Sequence, residues 1–491
     1  MKPQKLRSHT KNVTFVLMRR QSHTGKSDAV SSSPGKGEGR HRLGFGSELK
    51  ALFRLGLPIL LTQLGLITVN FADTIMVGSY GTPELAAAAF VNNIFMVPMV
   101  MMIGFAGGTT PLVGALYGAD NRLEIGRVLK GAVQLNALLA LFFMVVMGTL
   151  YLLLGNMGQP PELLPLIRRY YLIIYSTLLP AALFNAFQQT ANGMTDTAMP
   201  MTIVLSANAL NILGNYLLIE GHWGLPELGL AGAGLSTAIA RYVSLAGIVL
   251  FVLFSRRYAP CRQGWRQGRA DHALRRKIAI TSVPVMIQNG SEVMVWSFGA
   301  VVCGWYDSLQ LAAYQITNTM SNLGFMMYLS FSIAVSIRVA NKTGLRDISG
   351  MRLTARAGVM LNLCLSVLAS MVFIFFSRAL LHIFTPDEAV VRVALLLIAP
   401  LVLYQVFDAL QVTLSNVVRG TSHVLPLLWT AIFCFLVAGV PVIWLLGWKA
   451  GLGSQGVYYS FSVVLLMACT LYYVFYRRTL RRLERQWSTP E

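Results

Sequence analysis

The chain has 491 residues, of which 55% are hydrophobic and only 12% charged. A soluble domain carries about a quarter charged residues, so this deficit excludes an ordinary water-soluble fold and makes lipid the solvent. The formal net charge of +20 would suggest a nucleic-acid partner in a soluble protein. Here the charges lie between long apolar stretches, which is the pattern of membrane-flanking loops, so no nucleic acid is expected.

Residues 1–44 are rich in Lys, Arg, Ser and Gly and have no apolar run long enough for a signal peptide. They read as a basic extension, expected to be disordered. Gly25-Lys26-Ser27 lacks the earlier glycine and the flanking strand and helix of a phosphate loop, which disfavours ATP-driven chemistry. Apolar stretches then follow at about 52–78, 85–117, 131–154, 168–191, 198–219, 228–254, 278–303, 309–340, 353–377, 392–418, 424–447 and 455–476. Each approaches or exceeds the roughly 20 residues that cross a bilayer as a helix. The expected fold is an all-α polytopic membrane protein with twelve transmembrane helices in two six-helix repeats around a central cavity. The expected division is an N-lobe at 45–255, a cytoplasmic linker at 256–277, a C-lobe at 278–478 and a cytoplasmic tail at 479–491.

Twelve Lys and Arg fall within residues 1–54. Loops after even-numbered spans, with the helix ends beside them and the C-terminal tail, hold 22, against 5 for loops after odd-numbered spans. The positive-inside rule therefore puts both termini in the cytoplasm. Cys261, Cys303, Cys364, Cys434 and Cys469 show no CxxC spacing, and no disulfide or metal is assigned to them.

The halves repeat. A shift of 226 residues aligns 58–118 with 284–344 without a gap, matching Pro58 to Pro284, Gly78 to Gly304, Asn92 to Asn318 and Gly118 to Gly344. Six spans per half is an even number, so the halves share an orientation, with a transport route expected between them.

Three acids interrupt apolar helices: Asp73 in span 1, Glu292 in span 7 and Asp408 in span 10. A charge at the bilayer centre costs roughly 2.5–3.5 kcal/mol on insertion scales, so three of them call for a function. Each has polar company at helical spacing. Tyr404 precedes Asp408 by one turn and Gln288 precedes Glu292 by one turn. Asn211 and Asn215 share a face of span 5, and Thr237 lies in span 6. Carboxylate, amide and hydroxyl oxygens suit a hard cation such as Na⁺, and a desolvated carboxylate suits a proton, so both ions remain open on chemistry alone. Arg241, also within a span, either pairs with an acid or snorkels to an interface. Gln288, Gln411, Phe71 and Trp296 are expected to line the substrate cavity, the aromatics as stacking surfaces for organic cations.

At these residues the chain resembles the multidrug and toxic compound extrusion (MATE) family, in its NorM-like branch, over about residues 48–478. The motifs are Pro58 with FADTIMVG at 71–78, VPVMIQNGSE at 283–292, LAAYQI at 311–316, AVSIRVANKTG at 334–344, YQVFDALQV at 404–412 and GLPELGLAGAGLSTAI at 224–239. The resemblance implies an antiporter driven by Na⁺ or H⁺, with Asp73, Asn211, Asn215 and Thr237 as the N-lobe polar set. It implies Glu292, Asp408 and Tyr404 as the C-lobe cation site, with Na⁺ the favoured occupant. It further implies drugs, dyes or organic cations as cargo, a multi-pass place in the cell inner membrane, no cofactor beyond the coupling ion and no enzymatic activity; a monomer is expected. The alternative is a lipid-linked oligosaccharide flippase, which would need a basic cavity to meet phosphate. An intramembrane enzyme is disfavoured by the lack of an HExxH or paired catalytic Asp motif.

Overall fold

The computed structural model describes residues 44–268 and 271–488, which form one compact unit. The segment 1–43 of the basic extension lies outside the described residues. Six long helices come first: α1 (Phe45–Tyr80), α2 (Thr82–Gly118), α3 (Arg122–Asn156), α4 (Leu164–Gly193), α5 (Ala198–Ile219) and α6 (Leu230–Phe254). A short amphipathic helix, Ala259–Gln267, occupies the linker. Six more follow: α7 (His272–Tyr306), α8 (Ser308–Gly344), α9 (Ile348–Phe375), α10 (Glu388–Gly420), α11 (Leu425–Lys449) and α12 (Gly453–Ser488). Eleven of these are long and apolar enough to cross a membrane. The twelfth, α7, has 35 residues and is easily long enough. Its hydropathy is lowered by Gln288, Asn289, Ser291 and Glu292, the stretch that carries one of the candidate acids. Two expected boundaries shift: α7 starts at His272 inside the assigned linker, and α12 runs to Ser488 through most of the assigned tail.

Helix starts account for several of the acids. Asp271, Asp307, Asp347 and Asp387 cap α7, α8, α9 and α10, their carboxylates accepting the backbone N–H of Leu274, Gln310, Gly350 and Ala389. An acid at this position satisfies an orphan N–H and complements the positive helix end. Asp73, Glu292 and Asp408 have no such task.

The repeat is visible in backbone detail. At the 226-residue shift, α1 and α7 both end at a tyrosine, Tyr80 and Tyr306, and α2 and α8 both end at a glycine, Gly118 and Gly344. Asp120 and Arg346, two residues past those glycines, share left-handed φ values of 53° and 54°.

The cores interlock across the repeats. Leu52, Leu55 and Ile59 from the start of α1 belong to the apolar cluster built by α7–α12, whereas Val77 near the end of α1 belongs to the cluster built by α2–α6. Leu274 and Ile278 from the start of α7 pack with Leu112, Val113, Ile125 and Val128. Thus each repeat's first helix begins in the other repeat's core.

The close crossing of α2 and α8 depends on glycine. A Cβ on Gly118 would stand 2.1 Å from the Asn341 carbonyl oxygen, and one on Gly344 would stand 1.9 Å from that of Ala115. Gly344→Val or Gly118→Val should therefore destabilise the protein by about 1–3 kcal/mol through overpacking. A lowered midpoint in thermal unfolding of the detergent-solubilised protein would register the loss; an unchanged midpoint would mean that the crossing yields without cost.

Candidate functional site

The first acid cluster joins α1, α5 and α6. Asn215 donates through Nδ2 to Asp73 Oδ1 at 2.5 Å. Asn211, with its amide nitrogen turned to the carboxylate, stands 3.0 Å from the same oxygen, and its carbonyl then accepts from Thr237 Oγ1 at 3.2 Å. The two asparagines are buried on one face of α5, four residues apart, as the helical period requires. Ser236 adds a hydroxyl bond to the Asn211 backbone carbonyl at 2.6 Å. The four residues grouped from sequence are therefore one bonded cluster. Arg241, one turn beyond Thr237 on α6, donates to Thr177 Oγ1 at 2.6 Å, and its charge acts on Asp73 without an ion-pair contact.

The second cluster joins α7 and α10. Glu292 Oε1 accepts from Gln288 Nε2 and from Gln411 Nε2, each at 3.0 Å. Both glutamines, expected above to line a substrate cavity, are buried and hydrogen-bonded to the acid. Asp408, one turn before Gln411 on α10, is 1% exposed. Tyr404 lies one turn before Asp408 on α10 and is likewise buried. Its ring sits in an aromatic group with Trp296, Tyr458 and Phe461, at centroid distances of 5.3, 5.9 and 6.0 Å. Trp296 thus buttresses Tyr404. Phe71, two residues before Asp73 on α1, is 52% exposed.

Both clusters share a chemical character. The amide donors that hold Asp73 and Glu292 are neutral, so each carboxylate is positioned without being neutralised by an ion-pair contact. Buried oxygens stand without a donor beside them: Asn215 Oδ1, Gln288 Oε1 and Asp408 Oδ2. Undonated oxygens around a carboxylate are what a small hard cation takes as ligands, and an undonated carboxylate oxygen is also a place for a proton.

Sequence reading missed a buried polar network that joins α8, α9 and α10. Tyr328 donates to Gln405 Oε1 at 2.5 Å, and Gln405 donates to Ser321 Oγ at 3.0 Å. Asn362 on α9 donates to Ser332 Oγ and Thr413 Oγ1 at 2.8 and 2.7 Å. A lone Asn in the apolar run of α9 was the available signal. Arg419, near the end of α10, acts electrostatically on Glu292, and its Nε has no partner.

The chain is similar to known transporters along most of its length. It is 28% identical over 445 residues to multidrug resistance protein PmpM of Pseudomonas aeruginosa, covering 90% of this chain and 93% of that protein. It is also 28% identical to the probable multidrug resistance protein NorM of Acinetobacter baylyi, covering 90% and 99%. A solved MOP superfamily transporter from Pyrococcus furiosus superposes with a TM-score of 0.80 at 19% identity, over 89% of this chain and 97% of that one. A multidrug resistance MATE family transporter solved in an outward-facing conformation gives the same TM-score and identity, over 89% and 96%. The MatE family model matches twice, over residues 58–217 and 284–445, and its two copies begin at the paired prolines Pro58 and Pro284. With twelve helices in two repeats and both segments matched, the chain belongs to the MatE family.

Proposed function

We propose that this protein is a secondary antiporter that exports organic cations or amphipathic drugs across the cell inner membrane in exchange for Na⁺ or H⁺, by alternating access between its two lobes. The observation that carries this reading is that Asp73 and Glu292 are bonded by neutral amides, Asn215, Gln288 and Gln411, and not by a cationic side chain. A charge placed in hydrocarbon and left without an ion-pair partner favours a mobile cation. Relatives named for multidrug resistance supply the cargo class.

Exchange requires that cargo and ion not bind independently. A carboxylate that takes either a coupling cation or a cationic drug, but gains little from both, supplies the negative coupling free energy that antiport needs. Na⁺ is the favoured ion: Glu292, Asp408 and Tyr404 offer two carboxylates and a hydroxyl, with the Gln288 carbonyl oxygen beside Glu292. Gln288 and Gln411 position Glu292 in this scheme. Asp73 with Asn211, Asn215 and Thr237 forms the N-lobe counterpart. The lysine and arginine asymmetry supports cytoplasmic termini.

Glu292→Asn and Asp408→Asn should abolish cation-driven efflux, a loss of at least about tenfold, while the proteins still insert. Asp73→Asn should impair efflux with the C-lobe residues intact. The measurement is dye efflux from vesicles under an imposed Na⁺ gradient at fixed pH, then a pH gradient at fixed Na⁺. Wild-type rates and ion dependence in all three variants would make the acids structural and sink the mechanism.

Tyr404→Phe removes one neutral oxygen and leaves both carboxylates. Its effect on ion affinity should be about 1 kcal/mol, or up to about tenfold. The Na⁺ concentration giving half-maximal efflux reads this directly; a loss as complete as that of Asp408→Asn would mean that the tyrosine does more than ligate.

Single cysteines placed in the linker between Arg256 and Gln267 should escape a membrane-impermeant thiol reagent applied to intact cells. Labelling there from outside would invert the proposed topology.

A further inference from the structure

Helix parity places several chain segments at one end of the bundle: the starts of α1, α3, α7 and α9 and the ends of α2, α8 and α10. Contacts between the repeats gather there. Phe53 packs edge-on against Phe331 at 5.1 Å, and Gly118 and Gly344 cross backbone on backbone with the opposite repeat. At the other end, the polar contacts stay inside each repeat. Tyr80 donates to Glu227 at 2.9 Å, Ser454 donates to Gln310 Oε1 at 2.7 Å, and Tyr306 donates to the Gly447 carbonyl at 2.7 Å.

One of the inter-repeat contacts is an ion pair. Glu48, in the first turn of α1, is 1% exposed. Its carboxylate takes a fork from Arg338 on α8, Nε to Oε1 at 2.9 Å and Nη2 to Oε2 at 2.6 Å. Thr354 on α9 donates to Oε1 at 2.7 Å. The partners lie 290 and 306 residues away along the chain.

The repeat provides an internal comparison. Shifting by 226 residues carries Glu48, Arg338 and Thr354 onto Leu274, Leu112 and Val128. Those three are buried together in a single apolar cluster. The same inter-repeat junction therefore occurs twice, once closed by hydrophobic side chains and once by a charged fork.

The two chemistries differ in how they come apart. Separating packed apolar groups exposes them to water with nothing gained in return. Separating a buried ion pair lets both ions regain their hydration, which is why well-packed hydrophobic replacements often hold as tightly or more tightly. The fork still fixes geometry, because either ion alone in that site is costly.

We propose that Glu48, Arg338 and Thr354 form a releasable clasp that sets the balance between closed and open states at the Arg-rich end of the transporter. The clasp forms when the repeats meet at that end and must break for the end to open. It belongs to the transport cycle but touches neither acid cluster. The inference rests on alternating access, and its test needs no cargo, so failure of the drug-export reading and failure of the clasp are told apart.

The test is the distance between spin labels at Leu123 and Leu345, exposed residues of the two repeats at this end, in a cysteine-free background. Glu48→Gln leaves Arg338 unpaired and should raise the population of long distances about tenfold. Thr354→Val keeps the pair and removes one hydrogen bond; it should shift the same population about threefold in the same direction. The triple variant Glu48→Leu, Arg338→Leu, Thr354→Val copies the apolar junction and should show the short distance alone. A residue group with a merely structural role would loosen the fold in all three variants. Unchanged distances in Glu48→Gln and Thr354→Val, or lengthened ones in the triple variant, would overturn the clasp.

Discussion

A polar group in hydrocarbon has no water to turn to, so every one must find its partner within the protein. Helices meet that demand for the backbone, and the arrangement of this chain follows from how the side chains meet it. Three of its acids, Glu48, Asp73 and Glu292, show two ways of meeting that demand. Glu48 is met by an arginine fork and a hydroxyl, so its charge is matched within hydrogen-bond distance. Asp73 and Glu292 are met by neutral amides, which fix the oxygens in place and leave the charge without a contacting counterion. The first kind holds helices together. The second kind is the arrangement on which the proposed cation exchange rests.

The repeat provides scaffold and not chemistry. Helix ends, the left-handed residues Asp120 and Arg346, and the glycine crossing of α2 and α8 recur at one fixed spacing. The acids of the two clusters do not. The position matching Asp73 is Gly299, whose Cβ would stand 2.6 Å from Phe461, and the positions matching Asn211 and Asn215 are Val437 and Pro441. Glu292 corresponds to Leu66. Each repeat thus carries a carboxylate cluster built at a different place on the same framework. The two clusters therefore have separate surroundings.

Much of this was legible in the sequence, for reasons that also mark the limits. Twelve apolar runs and the Pro, Gly and Asn matches between halves are local or periodic signals, and lipid makes them strong. The acids stood out because charge in such a run is rare. The pairing of Asn211 with Asn215, and of Gln288 with Glu292, follows from one helical turn. Gln411 on Glu292 joins two helices, and no period along the chain reveals such a contact. Glu48 was invisible for another reason: it lies outside the apolar stretch beginning near 52, where a charge reads as an ordinary interfacial residue. Its hydrogen-bond partners, Arg338 and Thr354, are contributed from far along the chain.

A single helix spans the distance between the Asp73 cluster and the Glu48 contact. The start of α1 belongs to the apolar cluster of α7–α12, and its latter part, with Asp73, is bound to α5 and packs with α2–α6. Glu48 and Asp73 are 25 residues apart on this helix, about 37 Å at 1.5 Å per residue. Separation of the repeats at the Arg-rich end must therefore either draw the start of α1 out of one core or deform α1 between its two attachments. Either change acts on the helix that carries Asp73. An occupant of the Asp73 cluster can bias the closure only by as much as its affinity differs between the two arrangements of α1. The Asn215 and Asn211 bonds anchor the Asp73 carboxylate to α5 of the same repeat, so strain in α1 is felt as a change in the distance between that carboxylate and its amides. A cation that tightens this cluster favours the arrangement in which α1 fits it best, and reciprocity requires that closing the end alter the cation's affinity by the same factor.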